Sequence, residues 1–153
     1  MHPFDIKSAL LAKHAQHVVL IHFPIALLII SVVFDFLALW KPLAQHSRTL
    51  AVAAYYNLTA AALSAVPTVV TGLLAWQFQL GGESLKGILR LHMILGILSS
   101  LLIWLIWWLH FRAQRRPEQR LPRYRLPIEV LAVALIALTG HLGGFLSGVN
   151  GVD

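Results

Sequence analysis

Apolar residues along this chain gather into four long runs, Val18–Trp40, Leu50–Phe78, Ile88–Leu109 and Pro127–Val149, separated by short polar stretches. Each run has roughly 20 residues or more, enough to cross about 30 Å of hydrocarbon as a helix. None alternates with the period of two that a barrel strand requires, and backbone in lipid must satisfy its own hydrogen bonds. The pattern therefore predicts an all-α fold: an integral membrane four-helix bundle, up-down-up-down, formed as a single transmembrane domain over residues 1–153. Ahead of the first run, Phe4, Ile6, Leu10 and Leu11 alternate with Asp5, Lys7, Ser8 and Lys13. That spacing suits a short interfacial helix or a plain N-terminal extension.

Breakers and interfacial residues mark the ends of the runs. Lys41-Pro42 closes the first, Gly81-Gly82 opens the link to the third, and Trp104, Trp107 and Trp108 form an aromatic belt at the end of the third. Pro24 and Pro67 fall inside runs and predict kinks; Pro24 also removes the bond to the Leu20 carbonyl beside His22. The second run is rich in alanine, with Asn57, Thr59, Thr68 and Thr71 available to bond across helices, and reads as the packing spine.

A hydrophobic fraction of 58% is too high for a soluble core of this length. The absence of cysteine excludes disulfides, thiolate metal sites and c-type haem attachment. No basic leader precedes a short apolar stretch, so no cleavable signal peptide is expected. A net charge of +6 would suit nucleic acid in a soluble protein, but beside membrane spans it reports topology, and no nucleic-acid partner is expected. Lys41, Arg48, Arg112, Arg115, Arg116, Arg120, Arg123 and Arg125 fall on one side, against Lys7, Lys13, Lys86 and Arg90 on the other. The positive-inside rule then predicts a bacterial inner membrane protein with both termini outside. Asp35, near the inner end of the first span, suits pairing with Lys41 or the basic loop, or proton transfer.

Intramembrane ionisable groups are expensive and usually functional. His22 and His92 stand early in spans one and three, about 6–8 Å inside the apolar boundary, and His141 about 12 Å inside on the returning span four. All three fall in the outer leaflet, with His17 at its rim, while His46 and His110 fall on the cytoplasmic face. Small residues flank them: Gly96 and Ser99 below His92, Gly144 and Gly148 beyond His141. Imidazoles from separate helices of a bundle hold b-type haem. The expectation is a membrane cytochrome with one haem b, its ligands drawn from His22, His92 and His141, with Arg90 on a propionate and His17 in support. Histidine coordination of bare zinc or copper by the same residues, and a purely structural or assembly subunit, remain as alternatives. His92 and His110 lie five helical turns apart on one face, yet about 27 Å apart, so one haem is favoured over two. Nothing resembles a nucleophile triad or a phosphate loop, which favours an electron-transfer subunit over an independent enzyme.

The motifs His17-Val-Val-Leu-Ile-His22-Phe-Pro-Ile-Ala-Leu, Ala54-Tyr-Tyr-Asn-Leu, Pro67-Thr-Val-Val-Thr-Gly72, Gly140-His-Leu-Gly-Gly-Phe-Leu and Gly148-Val-Asn-Gly-Val152 together resemble the domain-of-unknown-function 2231 family of bacterial membrane proteins. The resemblance covers nearly the whole chain; Val18 stands where members usually have proline. Members are often joined to Rieske-type or cytochrome c modules. The resemblance thus implies a redox setting, with the lipid bilayer and an outward-facing redox protein as partners, in an oligomer or larger complex.

Overall fold

The computed structural model describes residues 15–82, 84–116 and 121–148. The expected interfacial segment before residue 15, with His2, His14, Lys7 and Lys13, lies outside the described residues, as do Arg120 and the final five residues. Every regular element among the described residues is a helix. Helix α1 spans Ala15–Leu39, and a 3-10 turn, Lys41–His46, carries Pro42 in its first turn. Helix α2 spans Ser47–Leu74 and widens into a single π turn, Ala75–Gln79; α3 spans Gly87–Gln114 and α4 spans Arg125–Leu146. All four helices are long and apolar enough to cross a membrane.

Two of them are longer toward the arginine-rich loops than the apolar pattern alone predicts. α3 continues past Leu109 and α4 begins at Arg125, because His110 and Arg125 are buried rather than placed in a loop.

α1 packs along α2 and α3 along α4, giving two hairpins, and contacts of α2 with α3 and of α1 with α4 close the ring. The pairings run antiparallel. Along α1–α2, Thr68 faces Leu20 and Ser31 faces Ala54; along α3–α4, His92 faces Thr139 and His110 faces Glu129. α1 and α3 are therefore the diagonal pair across the bundle axis. The central core is Leu28 and Val32 of α1, Leu58, Ala61, Ala62 and Ala65 of α2, Ile103 and Ile106 of α3, and Ala132 and Ile136 of α4. The alanines of α2 let the neighbouring backbones come close, as the packing-spine expectation required.

Large apolar side chains cover the outside, among them Phe78, Leu63 and Val19. A surface of this kind is stable only against lipid tails. The belt is partly turned inward: Trp107 donates its indole N–H to Thr59 Oγ1 at 3.1 Å, while Trp108 stays exposed beneath the Arg112 guanidinium.

The alanine spine sets a test of packing. Ala61 is fully buried, so Ala61→Leu should destabilise the fold by about 1–3 kcal/mol. Leu63→Ala, on the exposed face of the same helix, should change it little. Reversible unfolding in mixed detergent micelles measures both.

Candidate functional site

Between the helices, at the end where α1 begins and α2 finishes, lies a cavity of about 570 Å³ lined by all four helices. His17 and His92 both line it. Their ring centroids are 6.4 Å apart and their planes stand at 86°. Each ring is held by the second helix of its own hairpin. His17 Nδ1 lies 3.1 Å from the Thr68 carbonyl, and His92 Nδ1 lies 3.0 Å from the Thr139 carbonyl. A carbonyl oxygen only accepts, so each Nδ1 carries the proton and each Nε2 is the lone-pair nitrogen. A carbonyl holding one ring nitrogen so that the other can bind a metal is the usual outer support of a metal-ligating histidine.

Glycines make room for both rings. A Cβ on Gly72 would come within 2.9 Å of His17 Cε1, and one on Gly143 within 3.1 Å of His92 Cε1. Any larger residue at either position must push the imidazole away. The two halves share one pattern. Thr68-x-x-x-Gly72 on α2 cradles the α1 histidine, and Thr139-x-x-x-Gly143 on α4 cradles the α3 histidine. One helical turn after the threonine whose carbonyl binds the ring, the glycine lies under it on the same face.

The proline expectation has a counterpart here. Without an N–H at Pro24, the Leu20 carbonyl has no helical partner, and the Thr68 hydroxyl approaches it at 3.3 Å while bonding the Ser64 carbonyl at 2.8 Å. Thr68 thus touches α1 through its hydroxyl and through its carbonyl.

The grouping of His22 and His141 with His92 is not the one the fold makes. His22 is exposed and turns its Nδ1 back to the Val18 carbonyl at 2.7 Å. It is five residues from His17, about 140° around the helix, and so points away from the cavity that His17 enters. His141 is exposed and stands edge-on to Phe145, with centroids 4.9 Å apart. It is two residues from both Thr139 and Gly143, about 200° from the face that holds His92. Arg90 is likewise exposed two residues from His92; the basic residue lining the cavity is Lys86, with Ser84 and Ser147. Gly96 and Ser99 do line the cavity beneath His92. His46 is exposed at the other end and accepts from Gln45 Nε2.

A second polar cluster, at the arginine-rich end, is fully buried: Asp35 of α1, His110 of α3, and Arg125 and Glu129 of α4. His110 Nε2 lies 3.1 Å from Asp35 Oδ2 and 3.4 Å from Glu129 Oε1, and Arg125 reaches Asp35 Oδ1 at 3.3 Å and Glu129 Oε1 at 3.1 Å. Not all these approaches are aligned as hydrogen bonds. Asp35 Oδ2, Arg125 Nε and Glu129 Oε2 are buried without a hydrogen-bond partner. Asp35 pairs not with Lys41 but with His110 and Arg125, the two ends of the stretch that reads as the basic loop, 75 and 90 residues downstream. His110, expected on the cytoplasmic face, is 1% exposed inside the cluster.

These features define a four-helix integral membrane protein with a histidine pair in an interhelical cavity and a buried ionic cluster at the opposite end. The chain belongs to a family described as a predicted membrane protein, the domain-of-unknown-function 2231 family, whose model matches residues 13–153. No curated protein and no solved structure matches it.

Removing one member of the buried cluster exposes its cost. Arg125→Ala leaves two buried carboxylates short of a cation and should destabilise the protein by about 3–5 kcal/mol. The exposed Arg123→Ala should leave it unchanged. Thermal unfolding of both variants in one detergent measures the difference.

Proposed function

We propose that this protein is a membrane b-type cytochrome whose single haem is held between His17 and His92. The observation that carries the reading is the separation of the two rings that line the cavity. A first-row metal sits about 2 Å from an imidazole nitrogen, and a ring with bonds near 1.35 Å has a radius of about 1.15 Å. Two imidazoles on opposite sides of one ion therefore have centroids about 6.3 Å apart, against 6.4 Å here. The tautomer set by the Thr68 and Thr139 carbonyls supplies the correct nitrogen on each ring.

The volume decides between haem and a bare ion. Zinc bound only by protein takes about four ligands, whereas two imidazoles reach this cavity among the described residues, and 570 Å³ far exceeds one ion. A macrocycle that brings its own four nitrogens would need only two protein ligands and suits a mainly apolar chamber. Two histidines acting only as staples between helices would use the same Nδ1 bonds and the same two glycines, but would leave the chamber without a purpose. Haem bound here would supply reversible one-electron transfer. Of this chain's residues, His17 and His92 would hold it and tune its potential, and Lys86 would meet its carboxylates at the rim in the place expected of Arg90.

The arginine-rich end faces the cytoplasm in this reading. Arg125 is buried and leaves the surface count, but Lys41, Arg48, Arg112, Arg115, Arg116 and Arg123 still outnumber Lys86 and Arg90 among the described residues. The histidine pair then lies in the outer leaflet of a bacterial inner membrane, within reach of an outward-facing electron carrier such as a cytochrome c or a Rieske-type module.

The detergent-purified protein, expressed with ample haem, should show a Soret peak and a reduced α-band. His17→Ala and His92→Ala should each abolish them; His22→Ala and His141→Ala should not. The near-perpendicular rings predict a highly anisotropic low-spin ferric signal in electron paramagnetic resonance. A spectrum without haem bands sinks the reading, and loss of haem in His22→Ala moves the ligand. For orientation, alkaline phosphatase fused after residue 153 should be active; an inactive fusion with an active one in the 117–120 loop reverses the topology.

A further inference from the structure

We propose that Asp35, His110 and Glu129 form a second centre, a site for one divalent transition metal of the zinc class at the arginine-rich end. It stands independently of the haem reading. Charge is the first argument. Two carboxylates meet one guanidinium in a cluster whose members are all at most 3% exposed, so with a neutral imidazole the cluster is one positive charge short. A buried unbalanced charge is costly, so either a proton on His110 or a metal cation completes the balance.

Distance is the second. The four contacts in the cluster lie between 3.1 and 3.4 Å. Charge-assisted N–H···O bonds are shorter, about 2.7–2.9 Å. Donor atoms around an ion at about 2.1 Å stand about 3.0 Å apart in an octahedron and about 3.4 Å apart in a tetrahedron. The His110–Asp35 and His110–Glu129 separations, 3.1 and 3.4 Å, are edges of that size. One ligand atom from each of the three residues lies within 4.8 Å of the others. The third argument is the pair of orphaned oxygens. Asp35 Oδ2 and Glu129 Oε2 are buried without a hydrogen-bond partner, which is what a carboxylate prepared for an ion leaves behind.

The donor set selects the ion. One imidazole and two carboxylates suit zinc, manganese or iron(II), not calcium, which takes six to eight oxygens, nor copper(I), which prefers sulfur. Three protein ligands leave a coordination position open. Arg125 hydrogen-bonds Asp35 Oδ1 and lies 3.1 Å from Glu129 Oε1, where its charge competes with the ion and lowers the affinity. α2 brings no further charge to the cluster, since Arg48 is exposed.

The test adds cobalt(II), then zinc(II), to the full chain in detergent after chelator treatment. The site should take up one cobalt with visible d–d absorption, displaced by zinc. His110→Gln and Glu129→Gln should weaken uptake by about tenfold or more. Arg125→Gln keeps all three ligands and should bind more tightly, with a larger metal-induced rise in unfolding temperature than the wild type. Circular dichroism shows that each variant is folded. His17→Ala and His92→Ala should leave cobalt uptake intact, which separates this centre from the histidine pair whatever that pair holds. No d–d absorption in the wild type, or absorption unchanged by His110→Gln, overturns the proposal and leaves a closed ion-pair network balanced by a proton. Loss of cobalt in His17→Ala overturns it by moving the metal to the cavity.

Discussion

Eighteen residues along an α-helix make five turns, and that spacing decides where this bundle keeps its two interior polar clusters. Asp35 follows His17 by eighteen residues on α1, and His110 follows His92 by eighteen on α3. Each pair therefore shares one face of its helix, about 27 Å apart. Because α1 and α3 stand diagonally and run in the same sense, His17 meets His92 at one end and Asp35 meets His110 at the other. Between the two layers the interior is mainly apolar, centred on Leu28, Leu58 and Ile103, with Ser31 and Ser99 buried among the helices.

The helices α2 and α4 serve this arrangement by what they omit. Gly72 and Gly143 withdraw their side chains from the rings, and Thr68 and Thr139 offer a carbonyl each to an imidazole Nδ1. A threonine fits because its hydroxyl bonds back to its own helix, from Thr68 to Ser64 and from Thr139 to Leu135, so no extra polar group enters the chamber. Packing in lipid lacks the hydrophobic drive between helices that water gives, so close approach and these cross-helix bonds carry much of the association.

The helices, their number and the breakers between them were legible from the apolar runs, because length against bilayer thickness leaves few options. The partners within the site were less so. His17 read as a rim residue since the apolar run begins at Val18, yet α1 already includes Ala15 and places His17 on the inward face. His141 drew attention as an ionisable group, whereas the residues of its helix that contact His92 are Thr139, through its backbone carbonyl, and Gly143, through the space it leaves. The signal that was present is the repeated threonine–glycine spacing of four, once per hairpin, which shows its meaning only when each is set beside its histidine. Asp35 and Arg125 stand ninety residues apart, and nothing local ties them.

The near two-fold relation between the hairpins holds at one end and breaks at the other, and the chemistry of pairing explains why. At the histidine end the two hairpins present the same group in the same cradle of threonine carbonyl and glycine. Asp35 and His110 are unlike groups and can attract directly, so that end needs no symmetry. What it does have is Glu129, a second carboxylate from α4 that the single Arg125 guanidinium does not balance. Had the cluster served only to clamp the hairpins together, Asp35 with Arg125 would have been enough. Adding His110 and Glu129 costs further desolvation, which a proton on His110 or the proposed metal ion would offset.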